Sequence, residues 1–360
     1  MRPARLRWLA AALLPCMLHC GGGAGEPAVV QGDAESADGA PAALEEVHRI
    51  GRFDADDRFA WPGSAIAARF SGTAVSVRLD DGGQDWFSIE IDGQARPPLQ
   101  TAAGENDYLL AGDLSDGEHE LLLTRRTESF FGPSRFLGLS GAALVPGEPP
   151  DRLIEFIGDS ITCGYGVLGQ GPGCSFSADT ESETDAWGAL TARALGAAHT
   201  AIAYSGKGVV RNFGGDTSAT MPVLFGRTFA DDAASVWDFS FAPDVVVVDL
   251  GTNDFSVGDP GAAFEDGLLA FVEDIRGRYP GAPILLATSP MLGGDAHAQH
   301  RAHLQAVIDA AGDGVRLVDI AEQDPDDGLG CDFHPGPVTQ QKMADALVPV
   351  IQEVTGWSAR

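Results

Sequence analysis

The chain has 360 residues, of which 44% are hydrophobic, so it is long and apolar enough to form two packed domains. Its 52 acidic and 23 basic residues give a formal net charge of −29, and no basic cluster follows the first few residues. This charge excludes nucleic acid and anionic membrane surfaces as expected partners and favours a neutral substrate.

The N-terminus has the pattern of an export signal. Three arginines within the first seven residues precede the apolar run WLAAALLPCML, and small residues follow it. The run is too short to span a bilayer comfortably, so residues 1–24 are interpreted as a signal peptide or lipoprotein signal. A lipidated Cys20 would give a bacterial lipoprotein at the outer membrane or cell surface, whereas cleavage after Ala24 would give a secreted protein. Both routes stay open.

Cysteine usage agrees with export. Of five cysteines, three remain in the mature chain, Cys163, Cys174 and Cys331, with Cys20 as a fourth if it carries lipid. An oxidising compartment permits a disulfide, and three cysteines allow one pair and one free thiol. The pairing is left open. No Cys/His spacing resembles a zinc site, so no metal is expected.

The next two segments differ sharply in composition. Residues 25–43 are rich in Ala, Gly, Pro, Asp and Glu and are predicted to be a disordered tether. Residues 44–146 contain the alternating runs SAIAARF, AVSVRLDD, WFSIEIDG, HELLLTRR and FLGLSGAALV, separated by Asp-Gly turns. This pattern predicts an antiparallel β-sandwich. Trp61, Trp86 and Phe87 are expected in its core or at a domain contact, with sugar binding as the alternative.

After a proline-rich linker at residues 147–151, the pattern of residues 152–360 changes to strand-like runs that alternate with helices. The runs are LIEFI, AHTAIAY, VVVVDL, PILLAT and VRLVDI. The predicted helices cover about residues 185–195, 261–279, 296–311 and 337–354. Near-continuous apolar strands between helices indicate a parallel sheet covered on both faces, and hence a flavodoxin-like three-layer α/β/α domain. The site of such a domain lies beyond the carboxyl ends of its strands.

Four polar motifs lie at the ends of these apolar runs. LIEFI leads into Gly-Asp-Ser at Ser160, AHTAIAY leads into Ser205-Gly206, VVVVDL leads into Gly-Thr-Asn-Asp at Asn253, and His334 precedes a proline. A serine at a tight turn between a strand and a helix is well presented as a nucleophile. Because a neutral hydroxyl reacts poorly, it needs a base, and His334 is the candidate.

In this order the motifs resemble those of the GDSL or SGNH hydrolase superfamily. The stretches FIGDSITCGYG, SGKGVVRN, GTNDFS and CDFHP are most similar to carbohydrate esterase family 2, from about residue 44 to the C-terminus. The resemblance implies a jelly-roll sandwich followed by an SGNH hydrolase domain. It also implies an oxyanion hole built from the backbone N–H groups of Ser160 and Gly206 and the side-chain amide of Asn253. Asp159 and Asp254 are expected to brace these turns.

The acid of the triad is where the sequence departs from the superfamily. Many members place an aspartate three residues before the histidine, but Cys331 occupies that position here and the nearest carboxylate is Asp332. Asp332 is therefore either the acid in a shifted register or a bystander. In the second case Ser160 and His334 form a dyad steadied by a backbone carbonyl, as some family 2 esterases are understood to do.

The resemblance implies a serine esterase that removes O-acetyl groups from plant cell-wall polysaccharide, such as acetylated xylan or glucomannan, through an acyl-Ser160 intermediate. No cofactor is expected, and the chain is expected to be a monomer. One alternative is a GDSL lipase or lysophospholipase that acts on longer acyl chains. Another is a non-catalytic carbohydrate-binding lipoprotein.

Two further groups of residues are given structural interpretations. The spacing of His297, His300 and His303 predicts a solvated helix face rather than a metal cluster. Four aromatic residues near the motifs are candidates for stacking on sugar, and most of them are expected to pack in the core: Trp187, Phe213, Phe255 and Phe333.

Overall fold

The computed structural model describes residues 46–358, and every structural statement below refers to that range. The predicted signal peptide, the tether and the lipidation of Cys20 lie outside it. Among the described helices, none has both the length and the apolar character needed to cross a bilayer.

The N-terminal half forms two antiparallel sheets. One sheet has the order β1-β3-β8-β5-β6 with β10 beside β3, and the other has the order β2-β9-β4-β7. The strands are β1 (Val47–Ile50), β2 (Arg58–Phe59), β3 (Ala65–Ser71), β4 (Val75–Asp81), β5 (Trp86–Ile91), β6 (Gln94–Gln100), β7 (Gly104–Ala111), β8 (Glu118–Arg125), β9 (Ser134–Ser140) and β10 (Ala143–Val145). Along β4 the side chains of Val75, Val77 and Leu79 are buried and that of Arg78 is exposed, because successive residues face opposite sides of a sheet. The predicted sandwich is confirmed.

Four strands were not predicted, β1, β2, β6 and β7, and all of them lie at sheet edges. β6 contains Pro97 and Pro98, which a central strand would not tolerate because proline lacks the N–H that a neighbouring strand needs. β7 pairs only with β4 and buries little of its length. Edge strands need neither continuous hydrogen bonding nor a fully apolar face, so their sequences carry a weak strand signal.

The second half is a parallel sheet in the order β12-β11-β13-β14-β15. This is the flavodoxin-like order 2-1-3-4-5, as predicted. The strands are β11 (Leu153–Gly158), β12 (Ala198–Ala203), β13 (Val245–Asp249), β14 (Ile284–Ala287) and β15 (Val315–Val318). The helices are α1 (Ser160–Cys163), α2 (Trp187–Leu195), α3 (Met221–Leu224), α4 (Ala262–Arg278), α5 (Asp295–Ala311) and α6 (Pro337–Thr355).

The four consecutive valines of β13 serve two separate cores. Val246 and Val248 pack in the core that contains residues of α4 and α5, whereas Val245 and Val247 pack in the core that contains residues of α2 and α6. Since alternate side chains of a strand point to opposite faces, a strand covered on both sides must be apolar throughout. This explains the VVVV run and confirms the three-layer arrangement.

The sandwich is anchored to the α/β region by buried contacts. Arg52 is 0% exposed and its Nη1 donates to the carbonyls of Phe225, at 2.5 Å, and Arg227, at 2.9 Å. Its Nη2 lies 3.8 Å from the buried carboxylate of Glu155. Trp61 packs in the core of the α/β region, as expected for a domain contact.

We expect Asp249→Asn to stabilise the protein more at alkaline than at acidic pH. Asp249 ends β13, is fully buried, and neither of its carboxylate oxygens has a hydrogen-bond partner among residues 46–358. Burial, followed by the nearby charge of Asp159, raises its pKa well above the ordinary 3.8. As pH rises above 3.8, the unfolded wild type loses this proton while the folded wild type keeps it. The free energy of unfolding of the wild type therefore falls by up to about 1.4 kcal/mol per pH unit.

Urea unfolding of wild type and variant at about pH 5 and about pH 8 measures this difference. The variant's gain in free energy of unfolding should be larger at the higher pH. Asp266→Asn, which makes the same charge change on an exposed position of α4, is the control and should show no such trend. An equal gain at both pH values for Asp249→Asn would contradict the expectation.

Candidate active site

The nucleophile turn connects β11 to α1. Asp159 caps the helix, since its Oδ1 accepts the N–H of Ile161 at 3.0 Å. Gly158 is required before it, because a Cβ there would collide with the side chain of Thr162. Ser160 is the first residue of α1 and is 7% exposed. The turn therefore holds the hydroxyl of Ser160 at the carboxyl edge of the sheet.

The imidazole of His334 reaches this hydroxyl. Its Nε2 lies 2.8 Å from Oγ of Ser160, although the two residues are 174 positions apart. The ring stacks on Tyr165 with the centroids 4.1 Å apart. Burial lowers the pKa of His334 below its ordinary 6.5, and the nearby carbonyls of Cys331 and Asp332 oppose this shift. A neutral imidazole in this position can accept a proton from the hydroxyl.

The loop that carries His334 is tied to the loop after the nucleophile by a disulfide between Cys174 and Cys331. Cys163 is the buried free cysteine of the described residues. The predicted count of one pair and one free thiol is confirmed. Asp332 and Phe333 both adopt left-handed backbone angles, with φ of 51° and 65°, which non-glycine residues adopt only when their surroundings hold them there.

The carboxylate of Asp332 is bound to other partners than His334. It accepts the hydroxyl of Tyr165 at 2.9 Å and the N–H of Phe176 at 3.1 Å. Nδ1 of His334 is buried and makes no hydrogen bond among residues 46–358. Asp332 thus lies in the site and braces its loop, with its carboxylate turned to Tyr165.

The remaining predicted groups meet at a cavity of about 550 Å³ lined by Ser160, His334, Gly206 and Asn253. Gly206 has a φ of 79°, which suits glycine. Within the described part of the chain, the N–H groups of Ser160 and Gly206 donate no hydrogen bond, so both are free for a ligand. Nδ2 of Asn253 lies 2.9 Å from Asp159 Oδ2 and 2.8 Å from the carbonyl of Lys207, so a bound oxyanion would share its amide hydrogens.

Two aspartates hold these turns in place, as expected. Asp159 accepts the amide of Asn253. Asp254 accepts the N–H groups of three successive residues of the loop after Gly206, at 2.9, 2.9 and 3.1 Å. Burial, opposed by hydrogen bonds to Ile161 and Thr252, raises the pKa of Asp159 to about 7.

The aromatic residues divide between core and surface. Trp187 is 1% exposed and packs in the core, and Phe255 lines the cavity at 8% exposure. The expectation of core packing is wrong for Phe213, which is 72% exposed at the cavity, and for Phe333, which is 63% exposed. Phe213 lies in a short turn after β12, and Phe333 lies in a short turn after β15. Tyr165 was not predicted as a site residue, although its place in the CGYG stretch after Ser160 was a usable signal.

The prediction for the three histidines of α5 is wrong in part. His300 is 0% exposed, and its Nε2 lies 3.0 Å from the carbonyl of Leu250. Burial lowers its pKa to about 4. His303 lies between the carboxylates of Asp259 and Glu265. These side chains fasten α5 to neighbouring loops instead of forming a solvated face.

Known proteins share this arrangement. Residues 49–146 match the model of the carbohydrate esterase 2 N-terminal domain, and residues 156–342 match that of the GDSL-like lipase/acylhydrolase family. The chain is 37% identical over 320 residues to the cellulase/esterase CelE of Acetivibrio thermocellus, with 85% of this chain and 39% of CelE covered. It therefore spans about two fifths of the length of CelE. It is 27% identical to an acetylxylan esterase / glucomannan deacetylase of Cellvibrio japonicus, and the match covers 84% of this chain and 86% of that protein.

Solved structures agree with these sequence relatives. A family two carbohydrate esterase from Clostridium thermocellum, in complex with cellohexaose, superimposes with a TM-score of 0.83 at 35% identity, and the match covers 87% of this chain and 100% of that one. A family 2 enzyme from Corynascus thermopiles gives a TM-score of 0.78 at 33% identity, with 86% and 100% covered. The resemblance predicted from the motifs is confirmed: the chain belongs to carbohydrate esterase family 2.

Proposed function

We propose that this chain is a serine esterase that removes O-acetyl groups from plant cell-wall polysaccharide, such as acetylated xylan or glucomannan. The observation that carries the proposal is the 2.8 Å contact between Nε2 of His334 and Oγ of Ser160 beside two free backbone N–H groups. Membership of the esterase family supports the reaction class. The deacetylase relatives of Cellvibrio japonicus support the substrate.

Each group has a step in this reaction. His334 accepts the proton of Ser160 as Oγ attacks the acetyl carbon, and the carbonyl oxygen becomes an oxyanion. The N–H groups of Ser160 and Gly206 and the amide of Asn253 donate to that oxyanion. His334 then gives the proton to the departing sugar oxygen, which leaves acetyl-Ser160. Water, deprotonated by His334, then attacks the acetyl carbon; the bond from that carbon to Oγ breaks, His334 returns the proton to Oγ, and acetate is released.

We assign the support of His334 to backbone carbonyls rather than to the carboxylate of Asp332. The carboxylate already accepts from Tyr165 and Phe176. The carbonyls of Cys331 and Asp332 lie near the imidazole and favour its protonated form, although Nδ1 makes no hydrogen bond among residues 46–358. They would stabilise the imidazolium that forms during attack, as a triad aspartate does elsewhere.

Asp332→Asn is accordingly expected to lower kcat by less than about tenfold, compared with about 10⁴-fold when the acid of a working triad is lost. An amide oxygen still accepts the hydroxyl of Tyr165, so the loop keeps its position. Steady-state kinetics on 4-nitrophenyl acetate give the value. A fall of about 10³-fold or more at unchanged folding would identify Asp332 as the acid.

The function is tested by acetate release from acetylated xylan and acetylated glucomannan, together with the rates on 4-nitrophenyl esters of increasing chain length. We expect acetate release from at least one polysaccharide and the highest kcat/KM on the acetyl ester. A maximum on long acyl chains would instead identify a lipase or lysophospholipase. Polysaccharide binding without any ester hydrolysis would identify a binding protein.

We also propose that the protein is exported and acts as a monomer. Support for export comes from the N-terminal sequence pattern and from the disulfide, which an oxidising compartment permits. Lipidation of Cys20 would tether the enzyme to a membrane. Metabolic labelling with a fatty acid, compared between wild type and Cys20→Ala, distinguishes the lipoprotein from the secreted form.

A further inference from the structure

A glutamate of the sandwich half reaches the oxyanion loop of the other half. Glu128 lies between β8 and β9, and its side chain is 0% exposed. Its Oε2 accepts the backbone N–H of Ser205 at 2.6 Å, and its Oε1 accepts the hydroxyl of Ser205. The two residues are 77 positions apart. One carboxylate thus holds both the backbone and the side chain of Ser205.

The backbone of Glu128 is fixed by contacts with residues of the α/β half. Its backbone N–H donates to Oε2 of the buried Glu181 at 3.1 Å. The guanidinium of Arg126 donates to the carbonyl of Glu181 at 2.9 Å, and the backbone carbonyl of Arg126 accepts the N–H of Glu183 at 3.1 Å. These contacts fasten the segment that contains Glu128 to a second loop. That loop contains Glu181 and Glu183 and follows the disulfide-bonded Cys174. The carboxylate therefore has little freedom to follow Ser205 if that residue moves.

Ser205 determines where Gly206 points its N–H. That N–H belongs to the peptide bond between the two residues, so its direction depends on the backbone angles of Ser205. On the other side, the carbonyl of Gly206 accepts the N–H of Phe213 at 2.8 Å. An N–H donor contributes fully only when it is aimed at the oxyanion, and a displacement of about 1 Å can cost about 10²-fold in rate.

We infer that Glu128 is a positioning residue that aims the Gly206 N–H at the oxyanion, so that the sandwich half supplies part of the catalytic unit. This inference rests on the esterase activity proposed above. It gives the N-terminal half a role in turnover that does not require it to bind sugar. Glu128 touches neither the substrate nor the reacting atoms, and acts only through Ser205.

This role is tested by measuring kcat and KM on 4-nitrophenyl acetate for three variants of the whole chain: Glu128→Ala, Glu128→Gln and Ser88→Ala. We expect Glu128→Ala to lower kcat by about 10²-fold with KM changed by less than about threefold, because a lost oxyanion donor acts on the transition state. Glu128→Gln should recover most of the activity, since its amide oxygen can accept the N–H of Ser205 and its NH₂ can donate to the hydroxyl. Ser88→Ala removes a different contact between the two halves, to Thr184 at 2.7 Å, and should behave as wild type.

A second readout is inactivation by a 4-nitrophenyl phosphonate ester, in which Oγ of Ser160 displaces 4-nitrophenolate and the polarised phosphoryl oxygen occupies the oxyanion hole. The rate of inactivation should fall in Glu128→Ala by the same factor as kcat/KM.

A folded Glu128→Ala with wild-type kcat overturns the inference and leaves the esterase assignment intact. If Glu128→Ala does not fold, Glu128→Asp decides, because its carboxylate is one methylene too short to reach the N–H of Ser205. A kcat lowered at unchanged KM supports the role, and an unchanged kcat overturns it. An inactive wild type would overturn the esterase assignment itself, and the inference with it.

Discussion

Ser160→Ala is expected to lower kcat for acetyl ester hydrolysis by about 10⁴-fold or more, because the variant has no atom that can form the acyl intermediate. The oxyanion hole and the cavity stay in place, so the remaining rate should come from binding and from direct attack by water. Initial rates of acetate release at saturating substrate measure the loss. Thermal unfolding confirms that the variant is folded.

Ser140→Ala is the matched control for this substitution. Ser140 ends β9 and is exposed on the sandwich half, so the same change there should leave kcat at the wild-type value. A Ser160→Ala protein that retains a tenth or more of the wild-type rate, with no contaminating esterase, would contradict the assignment of Ser160.

His334→Ala is expected to lower kcat by about 10⁴-fold, since the hydroxyl of Ser160 then has no base within reach. Added imidazole should restore part of the rate by entering the space that the ring leaves. In wild type, burial lowers the pKa of His334, so the acid limb of the kcat/KM profile should lie below pH 6.5. His48→Ala, which removes a ring bound to the carbonyl of Gly147, is the control. A near-wild-type rate for His334→Ala would exclude this histidine as the base.

The convergence of the main site groups could be predicted because the strands of a parallel sheet end at one edge. Ser160, Gly206 and Asn253 each follow such an end, and the apolar runs that mark those ends are unmistakable in the sequence. His334 belongs to the same edge, after β15. Once the runs were recognised as parallel strands, the order of the motifs predicted which side chains would meet.

The residues that support the site could not be predicted in the same way. The contact of Glu128 with Ser205 depends on how the two halves pack, and neither residue belongs to a pattern that extends across the linker. The orientation of the Asp332 carboxylate depends on where Tyr165 and Phe176 lie around it. The burial of His300 follows from the loop packed over α5, which the helical spacing does not reveal.

The pairing of the cysteines could not be predicted either, because it also depends on how loops pack. Cys174 and Cys331 are 157 residues apart, and their meeting follows from the path of two irregular loops. Cys163 lies closer than Cys331 to Cys174 along the chain, but it is buried at the end of α1 and remains a free thiol. Spacing therefore could not distinguish the pair from the free thiol.

The central claim is that an acetyl group is transferred to Ser160 during turnover, and mass spectrometry tests it most directly. Wild type is mixed with excess 4-nitrophenyl acetate, quenched in acid within the first turnovers and digested for peptide mapping. We expect one acetyl group on the peptide that contains Ser160, located on that serine, and none on Ser160→Ala. Rapid turnover by wild type with the acetyl group on a different residue, or with no covalent adduct under conditions in which deacylation limits the rate, would contradict the claim.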